Sequence, residues 1–131
     1  MEFDKDLKAR QEARCLAKAA EAAQKQLAKM SQQQLDAITE GVAEAFFREA
    51  GRLAAMAVEE TGFGNAADKT VKNEFASKTV LEAIRDMKTV GVLKTLPGEK
   101  LWEVGVPVGV IAAIVPSTNP TSTVCYKASS L

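Results

Sequence analysis

Apolar residues recur every three or four positions through the first part of the chain, then crowd into short unbroken runs after about residue 90. The first pattern is helical and the second is that of strands. From about Asp4 to Lys29 the spacing of Leu7, Cys15, Leu16, Ala19, Ala23 and Leu27 predicts one helix with a thin, alanine-rich face. Ser31-Gln32-Gln33-Gln34 has the form of a capping box, so a second helix starts there, with Leu35, Ile38, Val42, Ala45 and Phe46 on one side. A break is expected at Arg48-Glu49-Ala50-Gly51. A third helix, carrying Leu53, Met56, Ala57 and Glu60, is stopped by Thr61-Gly62-Phe63-Gly64. A fourth opens between Ala66 and Asp68, presents Val71, Phe75, Val80, Ile84 and Met87, and ends at Gly91.

The pattern then changes. Val92-Leu93-Lys94-Thr95 and Leu101-Trp102-Glu103-Val104-Gly105-Val106 read as two strands around a Pro97-Gly98 turn, a hairpin or ribbon with Trp102, Val104 and Val106 on one face. Pro107 interrupts the ladder. Val108-Gly109-Val110-Ile111-Ala112-Ala113-Ile114-Val115 is apolar without alternation, which is how a strand covered on both faces reads in a parallel sheet. Pro116-Ser117-Thr118-Asn119-Pro120 ends it. Asn119 suits a helix N-cap and Pro120 the first helical position, so a last helix follows, with Val124, Ala128 and Leu131 on one side. A single parallel strand is not a sheet, so the expected fold class is α/β and incomplete: N-terminal helices, a β-ribbon, and the first strand–loop–helix of a larger domain.

Composition narrows the functions. The 131 residues carry 17 Lys plus Arg against 17 Asp plus Glu, and this zero balance argues against an electrostatic nucleic-acid binder. With no His and no carboxylate cluster at ligand spacing, no metal site is expected. No apolar run nears the ~18–20 residues that span a bilayer, so no membrane partner is expected. Met1-Glu2-Phe3-Asp4-Lys5-Asp6 is too charged for a signal peptide, and Cys15 and Cys125 make no disulfide framework. A reducing cytoplasm is the expected location.

Two stretches carry a resemblance. Pro107 to Thr123, with Pro116-Ser117-Thr118-Asn119-Pro120-Thr121 at its centre, resembles the first Rossmann-type strand and turn of the aldehyde dehydrogenase superfamily. Glu59-Glu60-Thr61-Gly62-Phe63-Gly64, Asp68-Lys69, Lys72-Asn73-Glu74-Phe75-Ala76-Ser77 and Lys88-Thr89-Val90-Gly91-Val92-Leu93 are similar in order and spacing to its CoA-acylating branch. That branch includes acetaldehyde dehydrogenase (acetylating) and the N-terminal part of bifunctional aldehyde–alcohol dehydrogenases. The resemblance implies residues 1–91 as the helical N-terminal part of the cofactor domain, 92–106 as a ribbon of the oligomerisation arm in a homo-oligomer, and 107–131 as the first Rossmann-like strand, loop and helix start of an NAD-binding domain.

It also implies the chemistry. A Cys thiolate attacks a short-chain aldehyde, hydride passes to NAD, and CoA takes the acyl group. The aldehyde oxygen gathers negative charge and needs preorganised donors. Counted from Pro116, Thr118 matches the Asn donor of hydrolytic relatives and Asn119 comes one later, so Thr118 and Asn119 are the candidates. For Asn119 the helix-cap role competes, and the two are compatible. Ile114, Val115, Pro116 and Ser117 match positions lining the adenosine and ribose side of the cofactor, against ordinary strand-end packing. Cys125 does not match the family nucleophile, which falls beyond residue 131, and reads as a buried packing thiol. Cys15 reads as a helix-face residue, Lys127 as a solvated one and Trp102 as a ribbon anchor. Three accounts stay open: a catalytically silent portion of the enzyme, an independent helical interaction module, and a truncated paralogue that associates through its ribbon.

Overall fold

The computed structural model describes residues 4–130. Met1, Glu2 and Phe3, and Leu131, which the sequence places on the last helix only as an expectation, lie outside the described residues. The chain divides into two units, one taking in the chain up to Ser31 and Thr89–Ala112, the other Gln32–Lys88 and Ala113 onward.

In the first unit, α1 (Lys5–Leu27) is a 23-residue helix with no buried residue. Its alanine face provides too little apolar area to hold a core by itself. Two strands, β1 (Gly91–Leu96) and β2 (Leu101–Gly105), pair antiparallel with Val92 opposite Val104 and Thr95 opposite Trp102. The register slips between Val92 and Lys94, which leaves Leu93 as a bulge. The turn between the strands passes through Lys100 at φ 54. Both faces of this hairpin are open, and Trp102 is 74% exposed. A Cβ at Gly105 would collide with the Thr89 carbonyl, so glycine is what lets the chain before β1 approach the end of β2.

The second unit holds the packed core. Its helices are α2 (Gln32–Arg48), α3 (Ala50–Thr61), α4 (Ala66–Glu74), α5 (Val80–Ile84) and α6 (Pro120–Ser130), with a π-helical turn, Phe75–Thr79, joining α4 to α5. The expected break falls at Glu49, and the expected stop is Gly62 at φ 69, whose amide donates to the Val58 carbonyl at 2.8 Å. Asn65 caps α4, accepting from the Asp68 amide at 2.9 Å. The core is built from small residues: Ala43, Ala50, Ala54, Ala57, Ala76 and Cys125, with Val80 and Leu81 at one end. Small side chains let helix backbones approach closely and leave room for little else.

Three expectations are corrected here. The inner face of α4 and its continuation is Lys69, Asn73, Ala76, Ser77 and Val80, while Val71, Phe75 and Met87 are exposed; Met56 on α3 and Ile38 and Ala45 on α2 likewise face outward. The π-turn shifts the register, and a close contact between backbones selects small side chains over large ones. The helix ends at Ile84 rather than Gly91. On α6 the inner residues are Cys125 and Ser129, one position beyond Val124 and Ala128.

The run from 108 to 115 forms no strand ladder among the described residues. A strand is defined by its hydrogen-bonded neighbour, and this run has none. Val108 is 90% and Ile114 88% exposed, so the most apolar stretch of the sequence is among the least buried.

Candidate active site

The site is built where α4 grips the loop that leads into α6, within the second unit. Residues three and four apart on a helix share a face. Lys69, Lys72, Asn73 and Ser77 therefore rise from one side of α4 and the π-turn. Lys69, only 5% exposed, donates from Nζ to the Thr118 carbonyl at 2.7 Å. Lys72 Nζ donates to Asn119 Oδ1 at 3.0 Å. Asn73 is fully buried and uses both ends of its amide: Nδ2 donates to the Ala50 carbonyl at 2.9 Å and Oδ1 accepts from Thr121 Oγ1 at 2.8 Å. Ser77 Oγ donates to the Asn73 carbonyl at 2.7 Å. A buried amide is tolerated only when so satisfied. The result ties α3, α4 and the start of α6 to one side chain.

The loop itself turns at Ser117 and Thr118, bends at Asn119 and enters α6 at Pro120. The Asn119 carbonyl accepts from the Thr123 amide at 3.2 Å, the first bond of the helix. Its side-chain Oδ1 accepts from Lys72. An open cleft of about 460 Å³ lies alongside, lined by Val71, Lys72, Phe75, Asn119, Ser122 and Tyr126 among others, none of them acidic. Neither Lys69 nor Lys72 forms an ion pair among the described residues. The cleft is mainly apolar, and Lys72, Asn119, Ser122, Thr123 and Tyr126 bring polar groups to it without a competing carboxylate, a setting in which a donor can stabilise an oxygen that gains negative charge.

The candidate residues fall as follows. Asn119 is half-buried at the cleft, and Thr118 is exposed with its carbonyl engaged by Lys69. Ile114, Val115 and Pro116 precede the turn, Ser117 opens it, and all four are exposed. Cys125 is wholly buried; burial raises its pKa above the usual thiol value, and the Ser129 hydroxyl offsets this only in part, making no well-formed hydrogen bond itself. It has neither the access nor the acidity of a nucleophile. Cys15 is exposed on α1 and accepts from Gln11 Nε2 at 3.3 Å. Lys127, expected in solvent, is half-buried. Sequence reading gave Lys69, Lys72 and Asn73 no role. Their spacing places them on one face, and that polar stripe was the available signal.

Three comparisons bear on this arrangement. The model of the aldehyde dehydrogenase family matches residues 5–130. The chain belongs to the aldehyde dehydrogenase family. Among solved members, the acetylating aldehyde dehydrogenase of Geobacillus thermoglucosidasius superposes with a TM-score of 0.93 at 54% identity, over 97% of this chain and 28% of that one. Among curated members, the bifunctional aldehyde-alcohol dehydrogenase AdhE of Escherichia coli (strain K12) is 42% identical over 105 residues, 80% of this chain and 12% of the relative. The succinate-semialdehyde dehydrogenase (acetylating) of Clostridium kluyveri is 39% identical over 104 residues, 79% and 23% respectively. The chain therefore spans under a third of each of these family members. Its fold, helices plus a small antiparallel ribbon, is part of an aldehyde dehydrogenase domain.

Proposed function

We propose that this chain is the N-terminal portion of an NAD-dependent, CoA-acylating aldehyde dehydrogenase. The reaction on this reading takes a short aldehyde, CoA and NAD to acyl-CoA and NADH, with acetaldehyde and acetyl-CoA as the pair. One observation carries it. The loop that carries Thr118 and Asn119 is fastened to α4 by Lys69, Lys72 and Asn73, and Lys72 and Asn119 line a mainly apolar cleft that holds no carboxylate. The 54% identity to an acetylating aldehyde dehydrogenase supports the branch.

The residues take these roles. Asn119, with Thr118 as the alternative, donates a hydrogen bond to the aldehyde oxygen as it gains charge. Ile114, Val115, Pro116 and Ser117 hold the adenosine and ribose side of NAD. They fit that duty: they are exposed, and no charged side chain occurs from Pro107 to Pro120 to clash with a nucleotide. NAD, when bound, supplies the hydride acceptor. Residues 108–115 supply the first strand of the cofactor sheet, and residues 92–106, with exposed Trp102, supply the contact between subunits of a homo-oligomer in the cytoplasm.

The nucleophilic Cys on this reading lies beyond residue 131, and buried Cys125 does not replace it. The isolated chain is then inactive. In the complete protein that carries this segment, NADH formation requires acetaldehyde and CoA together, and the purified 131-residue chain produces none. Turnover by the chain alone, or full turnover of the complete protein without CoA, contradicts the proposal.

A further inference from the structure

We propose that Lys72 is a positioning residue for the oxyanion donor: by holding Asn119 Oδ1 it turns the amide nitrogen of Asn119 toward the reacting oxygen. The inference rests on the reading of Asn119 given above and adds what aims it. An ammonium has donors and no acceptor, so the Asn119 atom that faces Lys72 Nζ at 3.0 Å is the carbonyl oxygen. That contact, made by an exposed lysine, orients the amide, since oxygen and nitrogen leave the same planar carbon in different directions. The Nδ2 hydrogens then point away from Lys72. A cation on the oxygen also draws electron density from the nitrogen and makes its hydrogens stronger donors.

The surroundings keep the pair in place. Lys69 on the Thr118 carbonyl and Asn73 on Thr121 Oγ1 pin the backbone on either side of Asn119. Lys72 and Asn119 both line the same cleft, and no carboxylate pairs with Lys72 among the described residues to divert it. The geometry also favours Asn119 of the two donor candidates, because Thr118 is held through its backbone and its hydroxyl makes no comparable contact among the described residues.

The test is a double-mutant cycle in the complete protein, following NADH formation from acetaldehyde and CoA. Asn119→Ala is expected to lower kcat about 100-fold with little change in KM, the signature of a donor used only in the transition state. Lys72→Met is expected to lower kcat about tenfold, again with KM nearly unchanged. Lys72→Arg, which keeps a cationic donor, recovers most of that loss. In the Asn119→Ala background, Lys72→Met changes kcat by less than about twofold, because its effect runs through the missing amide. Lys72→Gln serves as a second variant, and thermal melting shows that each protein is folded.

An undiminished kcat in Asn119→Ala overturns the reading of Asn119 and the proposal with it. A normal loss in Asn119→Ala combined with wild-type kcat in folded Lys72→Met and Lys72→Gln overturns the role of Lys72 alone. So does a Lys72→Met loss that persists undiminished in the Asn119→Ala background, or one that appears only as a raised KM for CoA.

Discussion

The helices around α4 and the apolar run at 108–115 solve opposite problems. Around α4 most of the buried residues are small, alanines, serines, an asparagine and Cys125, beside one lysine, and each buried polar side chain but Ser129 has a hydrogen-bond partner. In the run, valines and isoleucines stand exposed, Val108 at 90%. Burial follows from having a partner surface, not from hydrophobicity alone. The α4 region has its partners in α3 and α6, so small side chains suffice and polar ones are secured. The run has large side chains and, among the described residues, no strand beside it to cover them. On the proposed reading, the rest of the family's sheet is what covers them.

The largest break in this contrast comes from enlarging the small core. Ala54 is fully buried on α3, so Ala54→Leu forces the neighbouring helices apart and destabilises the chain by about 3 kcal/mol. Its denaturant midpoint falls accordingly. Asn73→Ala leaves the Ala50 carbonyl and Thr121 hydroxyl without their partner and lowers stability by about 2 kcal/mol in the same measurement. It also loosens the loop at Asn119, so on the proposed reading kcat of the complete protein falls as well.

Those residues mark the limit of sequence reading. Several ends and turns were legible because local chemistry fixes them: Gly62 takes a left-handed turn, Pro120 opens α6, and Pro97-Gly98 folds the hairpin. The inner face of α4 was not. A count of apolar spacing favours Val71 and Phe75 over Asn73 and Ser77, and only the close approach of α3 and α6 reverses that order. The end of α4's continuation was missed for a similar reason, since the Arg85–Lys88 stretch has helical spacing but no helix beyond Ile84. Of the site, the loop and Asn119 were visible in the motif. The grip of Lys69 and Lys72 was not, because it joins positions 49 and 47 residues apart.

The two cysteines sharpen the contrast with a smaller effect. Burial raises the Cys125 pKa, so the folded state keeps its proton where the unfolded chain loses it. The stability this group contributes is full below the ordinary value of 9.0 and is lost as pH rises past it. Cys125→Ala flattens that alkaline loss in a pH series of denaturant midpoints. Alkylation of the native chain modifies exposed Cys15 and spares Cys125, read by mass spectrometry of the peptides.

The smallest effect is expected in the exposed run. Val108→Thr and Ile114→Thr shift the stability of the chain by less than about 0.5 kcal/mol. In the complete protein, where the proposed sheet covers these side chains, the same substitutions lower stability by about 2 kcal/mol. Equal effects in both contexts contradict the proposed burial.

Amide hydrogen exchange at Val110 to Val115, measured in the chain and in the complete protein, tests that burial most directly. The account predicts exchange close to the unprotected rate in the chain, where this run has no ladder partner, and strong protection in the complete protein, where it pairs within a parallel sheet. Rapid exchange in both would show that the run never becomes a strand, and the assignment of this segment to the cofactor sheet would fail.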